Sequence, residues 1–352
     1  MGKPSRILAL DGLRAIAASL VFLEHFVLVG HGLGWVGVYF FFVLSGFLIV
    51  GILHKQRLKI EANGLSGISK EFYIFWEKRI RRIFPLYYLA LLLVLTLQVG
   101  VFHFEGLWAN GFSYYFFMLG NYYVQYVAHH WSWFSHLWSI STEQQFYMMA
   151  SPLLLLIPSR FHTRLFVALL LFSIGFICAD LLHSNGVNTP YIPSQSLFVF
   201  MAGGGLVALN AGKTRKRRFV DSGAAVLGIL STLVIVIWWK APVTWDPSWI
   251  ASFWLSILIA GVGSIRYLTC YQTSLAVKFL ELPPLRYLGT ISYGFYVYHY
   301  FMPVVLELIP GHGLLQRYPH TFYPLVLFAM SVLTASVSWE FFEKRILHKG
   351  RV

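Results

Sequence analysis

Residues 222–239 read SGAAVLGILSTLVIVIWW, eighteen positions without a charge or a proline. A helix that crosses the hydrocarbon core of a bilayer needs about 20 predominantly apolar residues, and this stretch is of that order. Residues 82–101 and 249–265 are apolar runs of similar length, the first opening on Arg82 and holding Pro85. The composition around them agrees. Hydrophobic residues make up 57% of the 352 and charged residues 12%, whereas a soluble domain carries about 25% charged residues. Once the apolar runs are set aside, no soluble domain of useful size is left. The 12 Trp and 20 Tyr suit a chain that passes repeatedly through the membrane–water interface, where both residue types collect.

Ten spans are expected, near 7–30, 34–53, 82–101, 136–158, 164–183, 195–211, 221–239, 249–265, 285–309 and 321–342. The chain is therefore read as an all-α polytopic membrane protein. It is taken as one transmembrane domain over 1–352 with no fused extracytoplasmic domain. Residues 107–128 are a further apolar stretch, and the cations decide how to treat it. If 107–128 does not cross, both termini are cytoplasmic. Of the 27 Lys and Arg, all but Arg14, Lys240 and Arg317 then fall on the cytoplasmic side, including the KTRKRR run at 213–218. If it does cross, that run lies outside. The positive-inside rule favours the first arrangement, with 107–128 lying in or dipping into the outer interface. The net charge of +13 is then topological, and nucleic acid is not expected as a partner.

Several other readings fall away. Lys3 and Arg6 precede an apolar stretch, but that stretch holds Asp11, Arg14, Glu24 and His25 and lacks a clean cleavage site, so it reads as a retained first span. Cys178 and Cys270 have no metal-type spacing and define no disulfide framework. There is no Walker loop, no dinucleotide fingerprint and no internal repeat. The GGG at 203–205 lies inside a span, where close helix packing explains it. The loop 54–81 ends in KEFYIFWEKRIRRIFP (70–85), which predicts an amphipathic interfacial helix leading into the third span.

Ionisable groups within spans are costly and mark the chemistry. Arg14 and His25 are eleven residues apart, so they fall on one helix face, offset by only about 20° and separated along the axis by about 16 Å. Asp11 lies within about 60° of Arg14. Two roles fit His25: a buried histidine bonded to a neighbouring helix, or a general base, since imidazole titrates near neutral pH. Asp11 and Arg14 also fit a structural pair. Glu24 sits about 100° from the His25 face and reads as structural. Glu143 lies in the outer part of the fourth span, either as a paired intramembrane carboxylate or as a group that orients His25 or an acceptor hydroxyl. His299 is a further inward candidate, or a histidine packed among tyrosines. Arg79 and Arg82 are three apart and share a face at the cytoplasmic end of the third span. They anchor topology, or they capture phosphates. His129, His130 and His136 have no carboxylate or cysteine at ligand spacing. Aromatic packing is their reading, and no metal is expected.

Five stretches together resemble the integral-membrane acyltransferase family 3, over nearly the whole chain. DGLRAIAASLVFLEHF (11–26) is similar to the family's first span, and GVYFFFVLSGFLI (37–49) to its second-span signature. FWEKRIRRIFPLYYL (75–89) resembles its Arg-x-x-Arg element. HLWSISTEQQFY (136–147) and ISYGFYVYH (291–299) resemble two later signatures. The family acylates bacterial glycans and related acceptors. The resemblance implies that His25 is the catalytic histidine, that Arg14, Arg79 and Arg82 serve acyl-CoA, and that Glu143 is the fourth-span glutamate. Two departures are visible. Gln144 stands where many members have a second acid, and Glu343-Lys344-Arg345 stands where many have Glu-Lys-Pro.

The expected function is thus a multi-pass enzyme of the bacterial cytoplasmic membrane. It would move an acyl group, by analogy acetyl, from cytoplasmic acetyl-CoA or another acyl-CoA to a hydroxyl of a carbohydrate acceptor. His25 would act as base, with Arg14, Ser45 or Tyr293 near the developing oxyanion. The alternative is a secondary transporter or flippase for a glycan or lipid-linked precursor, since intramembrane Arg, His and Glu also suit ion coupling.

Overall fold

The structure, a computed structural model, describes residues 7–100, 111–128, 131, 134–183, 193–212, 217–238, 247–309 and 322–348. His129, His130, residues 213–216, Lys240, Arg317 and the last four residues lie outside the described residues. Among those described there are helices and no strand. That is the expected solution where backbone N–H and C=O groups must be satisfied within the segment itself.

In chain order the helices are α1 (Ala9–Phe26), α2 (Leu33–Ala62), α3 (Ile68–Gly100), the short α4 (Phe112–Phe116) and α5 (Gly120–Tyr123), then α6 (Trp138–Leu156), α7 (His162–His183) and α8 (Ser194–Leu209). They continue with α9 (Arg218–Trp238), α10 (Pro247–Cys270), α11 (Leu275–Leu280), α12 (Pro283–Thr290), α13 (Ser292–Tyr298), α14 (Met302–Glu307), α15 (Phe322–Ser338) and α16 (Lys344–His348). By length and hydropathy, five helical segments among the described residues are able to cross a membrane: Leu33–Ala62, Ser159–Asp180, Arg218–Trp238, Trp249–Cys270 and Phe322–Leu347. The helix Ser194–Leu209 is apolar but shorter.

Two expected stretches differ in detail. The amphipathic run 70–85 does not form a separate helix. It is the first half of α3, which runs unbroken for 33 residues, about 50 Å, with Pro85 inside it. Residues 285–309 do not form one rod. They break after Thr290 and again at the 3-10 turn His299–Phe301. Residues 111–128 fold into pieces of five and four residues followed by a five-residue π turn, with Gly111 and Met118 at positive φ. No piece of it is long enough to cross.

The described residues fall into two compact units, each assembled from separate stretches: 1–48 with 200–293, and 49–199 with 294–352. In the first unit, glycines let backbones touch. A Cβ on Gly289 would lie 1.8 Å from the Asp11 carbonyl oxygen, and one on Gly12 would lie 2.0 Å from that of Leu280, so α1 packs directly on α11 and α12. Likewise a Cβ on Gly204 would meet the Val43 carbonyl oxygen at 1.9 Å, and one on Gly46 that of Met201 at 2.0 Å. The GGG run therefore does serve close packing, of α8 on α2. Glu24 turns out to cap α2. Its carboxylate accepts from the backbone N–H of Gly30 (2.8 Å) and Leu33 (2.7 Å), a favourable place for negative charge.

In the second unit α3 and α6 are joined by a hydrogen bond from Trp76 Nε1 to Ser151 Oγ at 3.1 Å. Tyr87 reaches the carbonyl of Tyr115 at 2.7 Å, tying the broken 111–128 segment to α3. The start of α3 is clamped to the end of α2, with Lys59 Nζ 2.6 Å and Gln56 Nε2 3.0 Å from the Glu71 carboxylate.

Candidate active site

The ionisable residues singled out in the sequence divide between the two units. Asp11, Arg14, His25, Ser45 and Tyr293 belong to the first, and Arg79, Arg82, Glu143 and His299 to the second.

On α1 the expected Asp11–Arg14 pair forms. Arg14 Nη1 lies 3.3 Å from Asp11 Oδ1, and the aspartate side chain is almost wholly buried. Because α1 is one continuous helix, His25 lies on the Arg14 face about 16 Å further along. His25 packs edge-on against Phe26 at 6.1 Å between ring centroids. Arg14, His25, Ser45 and Tyr293 are all partly buried.

On α6, Glu143 accepts a hydrogen bond of 2.5 Å from the phenol of Tyr147, one turn on. A carboxylate removed from water requires such a partner. Arg79 lies within electrostatic reach of Glu143, Tyr147 and Arg82. It also sits 5.8 Å from the centre of the Phe75 ring. Its Nε is buried and has no hydrogen-bond partner among the described residues. Its neighbour Arg81 behaves differently and pairs with Glu77 at 2.7 Å. Arg82 is exposed from the protein body and within electrostatic reach of Glu343. The structure therefore gathers Arg79, Arg82, Glu143 and Tyr147 into one polar cluster at the junction of α3 and α6.

His299 is fully buried, with Nδ1 2.7 Å from the Tyr296 carbonyl oxygen. Its ring stacks on Phe295 and packs beside Tyr296 and Tyr300. His136, read as interfacial, is buried as well. Its Nε2 lies 3.1 Å from the Val297 carbonyl oxygen, and its ring stacks on Tyr300. Among the described residues no group of three His, Cys, Asp or Glu is placed to hold a metal ion.

Sequence reasoning missed Tyr147 and the burial of Gln144 and Glu343. Tyr147 stands four after Glu143, and that spacing alone marks it as a partner on the same helix face. Gln144 is 2% exposed, and neither atom of its amide has a partner among the described residues. Its burial has no signal in the sequence. Glu343 is buried and accepts from Ser338 at 3.0 Å. Only the tertiary fold brings it toward Arg82.

A family profile described as an acyltransferase domain, that of acyltransferase family 3, matches residues 7–342. This chain belongs to that family. Among curated proteins it is similar to the peptidoglycan O-acetyltransferase OatA of Listeria monocytogenes, at 26% identity, with 97% of this chain and 56% of that protein covered. It is also similar to the O-acetyltransferase OatA of Staphylococcus aureus, at 24% identity, with 99% and 58% covered. A third relative is the putative peptidoglycan O-acetyltransferase YrhL of Bacillus subtilis, at 27% identity, with 97% and 55% covered. The chain thus spans a little over half the length of these relatives. No solved structure matches it.

Proposed function

We propose that this acyltransferase family 3 protein is a multi-pass O-acetyltransferase of the bacterial cytoplasmic membrane, with acetyl-CoA as donor and a peptidoglycan hydroxyl as acceptor. Membership of the family and the names of its relatives support the reaction and the acceptor class. The observation that carries the donor is Arg79, a half-buried arginine whose Nε is buried and without a hydrogen-bond partner among the described residues, with Arg82 one turn away. Guanidinium forks of this kind suit phosphate oxygens, so the residues present fit the phosphates of CoA.

Arg79 and Arg82 bind the donor's phosphates, and Glu143, held by Tyr147, orients Arg79. Bound acetyl-CoA supplies an activated acetyl thioester and departs as the thiol. His25 takes the proton of the acceptor hydroxyl at a ring nitrogen as that oxygen bonds to the acetyl carbon and the carbon–sulfur bond breaks. The same proton is then available for the departing sulfur. Arg14, or the hydroxyl of Ser45 or Tyr293, stabilises the oxyanion. Both termini are on the cytoplasmic side in this reading.

Purified protein supplied with acetyl-labelled acetyl-CoA and peptidoglycan tests it. Label in the glycan, dependent on the protein, is the expected result. Uptake of glycan precursor into vesicles without acetylation would replace the enzyme reading with a transporter.

A further inference from the structure

Between α6 and α7 lies a cavity of about 230 Å³ lined by apolar residues, including Ala150, Leu153, Leu165, Phe166, Ala168 and Phe172. On α7, Leu165, Ala168 and Phe172 repeat at helical spacing, and Phe161 continues the same face one turn below. Two guanidinium groups lie over the Phe161 ring, with Arg160 at 4.8 Å and Arg164 at 5.8 Å from its centre. Both arginines are exposed, and among the described residues neither has a carboxylate partner.

The turn that presents them is pinned. Arg57 donates to the Leu155 carbonyl at 2.8 Å, the Ser159 N–H donates to Glu61 at 2.7 Å, and His162 bonds both Ile157 (3.0 Å) and His54 (2.9 Å). The carboxylate closest in this network, Glu61, is already taken by Ser159 and Arg57, so it does not neutralise Arg160 or Arg164. The pair of cations is therefore held outward at the end of a span, immediately beside an apolar slot. From Arg164 the lining rises about 12 Å to Phe172. A phospholipid has the same layout: a phosphate at the interface and an acyl chain beside it in the core.

We propose that α6 and α7 form a binding site for an anionic phospholipid, with its phosphate between Arg160 and Arg164 and one acyl chain in the cavity. Charge selects the headgroup, because basic residues between helices at the interface attract anionic lipid. The apolar lining takes the chain. The site is separate from the Arg79–Glu143 cluster and does not depend on the catalytic reading.

Native mass spectrometry of the delipidated full chain, offered equal amounts of phosphatidylglycerol and phosphatidylcholine with identical chains, tests the site. The wild type is expected to retain phosphatidylglycerol preferentially. At roughly 1 kcal/mol per cation, Arg160→Gln with Arg164→Gln should weaken that retention about 30-fold, and the double Lys variant should keep most of it. Arg345→Gln, which removes a similar cation over Phe341 at 5.9 Å, should change nothing. Ala168→Phe, which fills the slot, should lower retention of both lipids. The two arginines are exposed, so their variants decide the headgroup claim even if Ala168→Phe fails to fold. Equal retention of the two lipids by wild type, or undiminished phosphatidylglycerol on the double Gln variant, overturns the proposal. So does palmitate displacing the lipid equally well from both proteins, which would leave a slot for an acyl chain alone.

Discussion

The phenol of Tyr147 donates to Glu143 across 2.5 Å, one turn along α6, so the carboxylate has its partner within its own helix. Glu143→Gln keeps the shape and removes the charge that Arg79 senses. Tyr147→Phe keeps the charge and removes the tether. Hydrogen bonds to charged groups contribute about 1.5–3 kcal/mol, so each variant should lower the acetyl-transfer rate about 10- to 100-fold without loss of folded protein. Wild-type rates from Glu143→Gln would make the carboxylate structural.

Arg79 and Arg82 should differ as well as add. Each replaced by Ala should weaken CoA binding by about 1.5–3 kcal/mol, with the larger loss at Arg79, which is the more enclosed. Lys at either site should restore only part, because an ammonium lacks the planar fork. Calorimetric titration of CoA reads this directly. Unchanged affinity in the double Ala variant would leave both arginines as topology anchors.

Backbone contact between α1 and α12 makes Gly289 intolerant. A Cβ there would lie 1.8 Å from a carbonyl oxygen of Asp11, whereas one on Gly175 of α7 meets nothing within 4 Å. Gly289→Ala should destabilise by about 1–3 kcal/mol or more, and Gly175→Ala should stabilise by about 0.5–1 kcal/mol. Thermal unfolding in detergent compares the two, and equal shifts would refute the packing of α1.

The apolar runs made the helices legible, because a spanning segment must be both apolar and internally hydrogen-bonded. The breaks within 285–309 were less so. The run is apolar on both sides of His299, and Pro303 was the only proline signal of a stop. The continuity of α3 was hidden for the opposite reason: the change from amphipathic to apolar at Arg82 looks like a boundary, yet the helix runs on through it and loses only the bond that Pro85, without an N–H, cannot donate. In the site, spacing placed Arg14 with Asp11 and Arg79 with Arg82. It did not show that Arg79 faces Glu143 while Arg81 turns to Glu77, because that depends on which side of α3 meets α6. Gln144, Glu343 and His136 were obscure for the same cause, since burial by a distant segment leaves no local mark.

Topology is checked by labelling. After Cys178 and Cys270 are replaced, single cysteines at Ser66 and His129 should react from opposite sides of the membrane, Ser66 from the cytoplasm. Reaction of both from one side would reverse the reading that places both termini inside.

A base such as His25, taking the acceptor's proton, matters for turnover rather than for donor binding. The most direct measurement is single-turnover transfer of labelled acetyl from acetyl-CoA to peptidoglycan by His25→Ala protein whose CoA affinity has been confirmed. No transfer above background is expected, with CoA affinity close to that of the wild type. Transfer at the wild-type rate would contradict it.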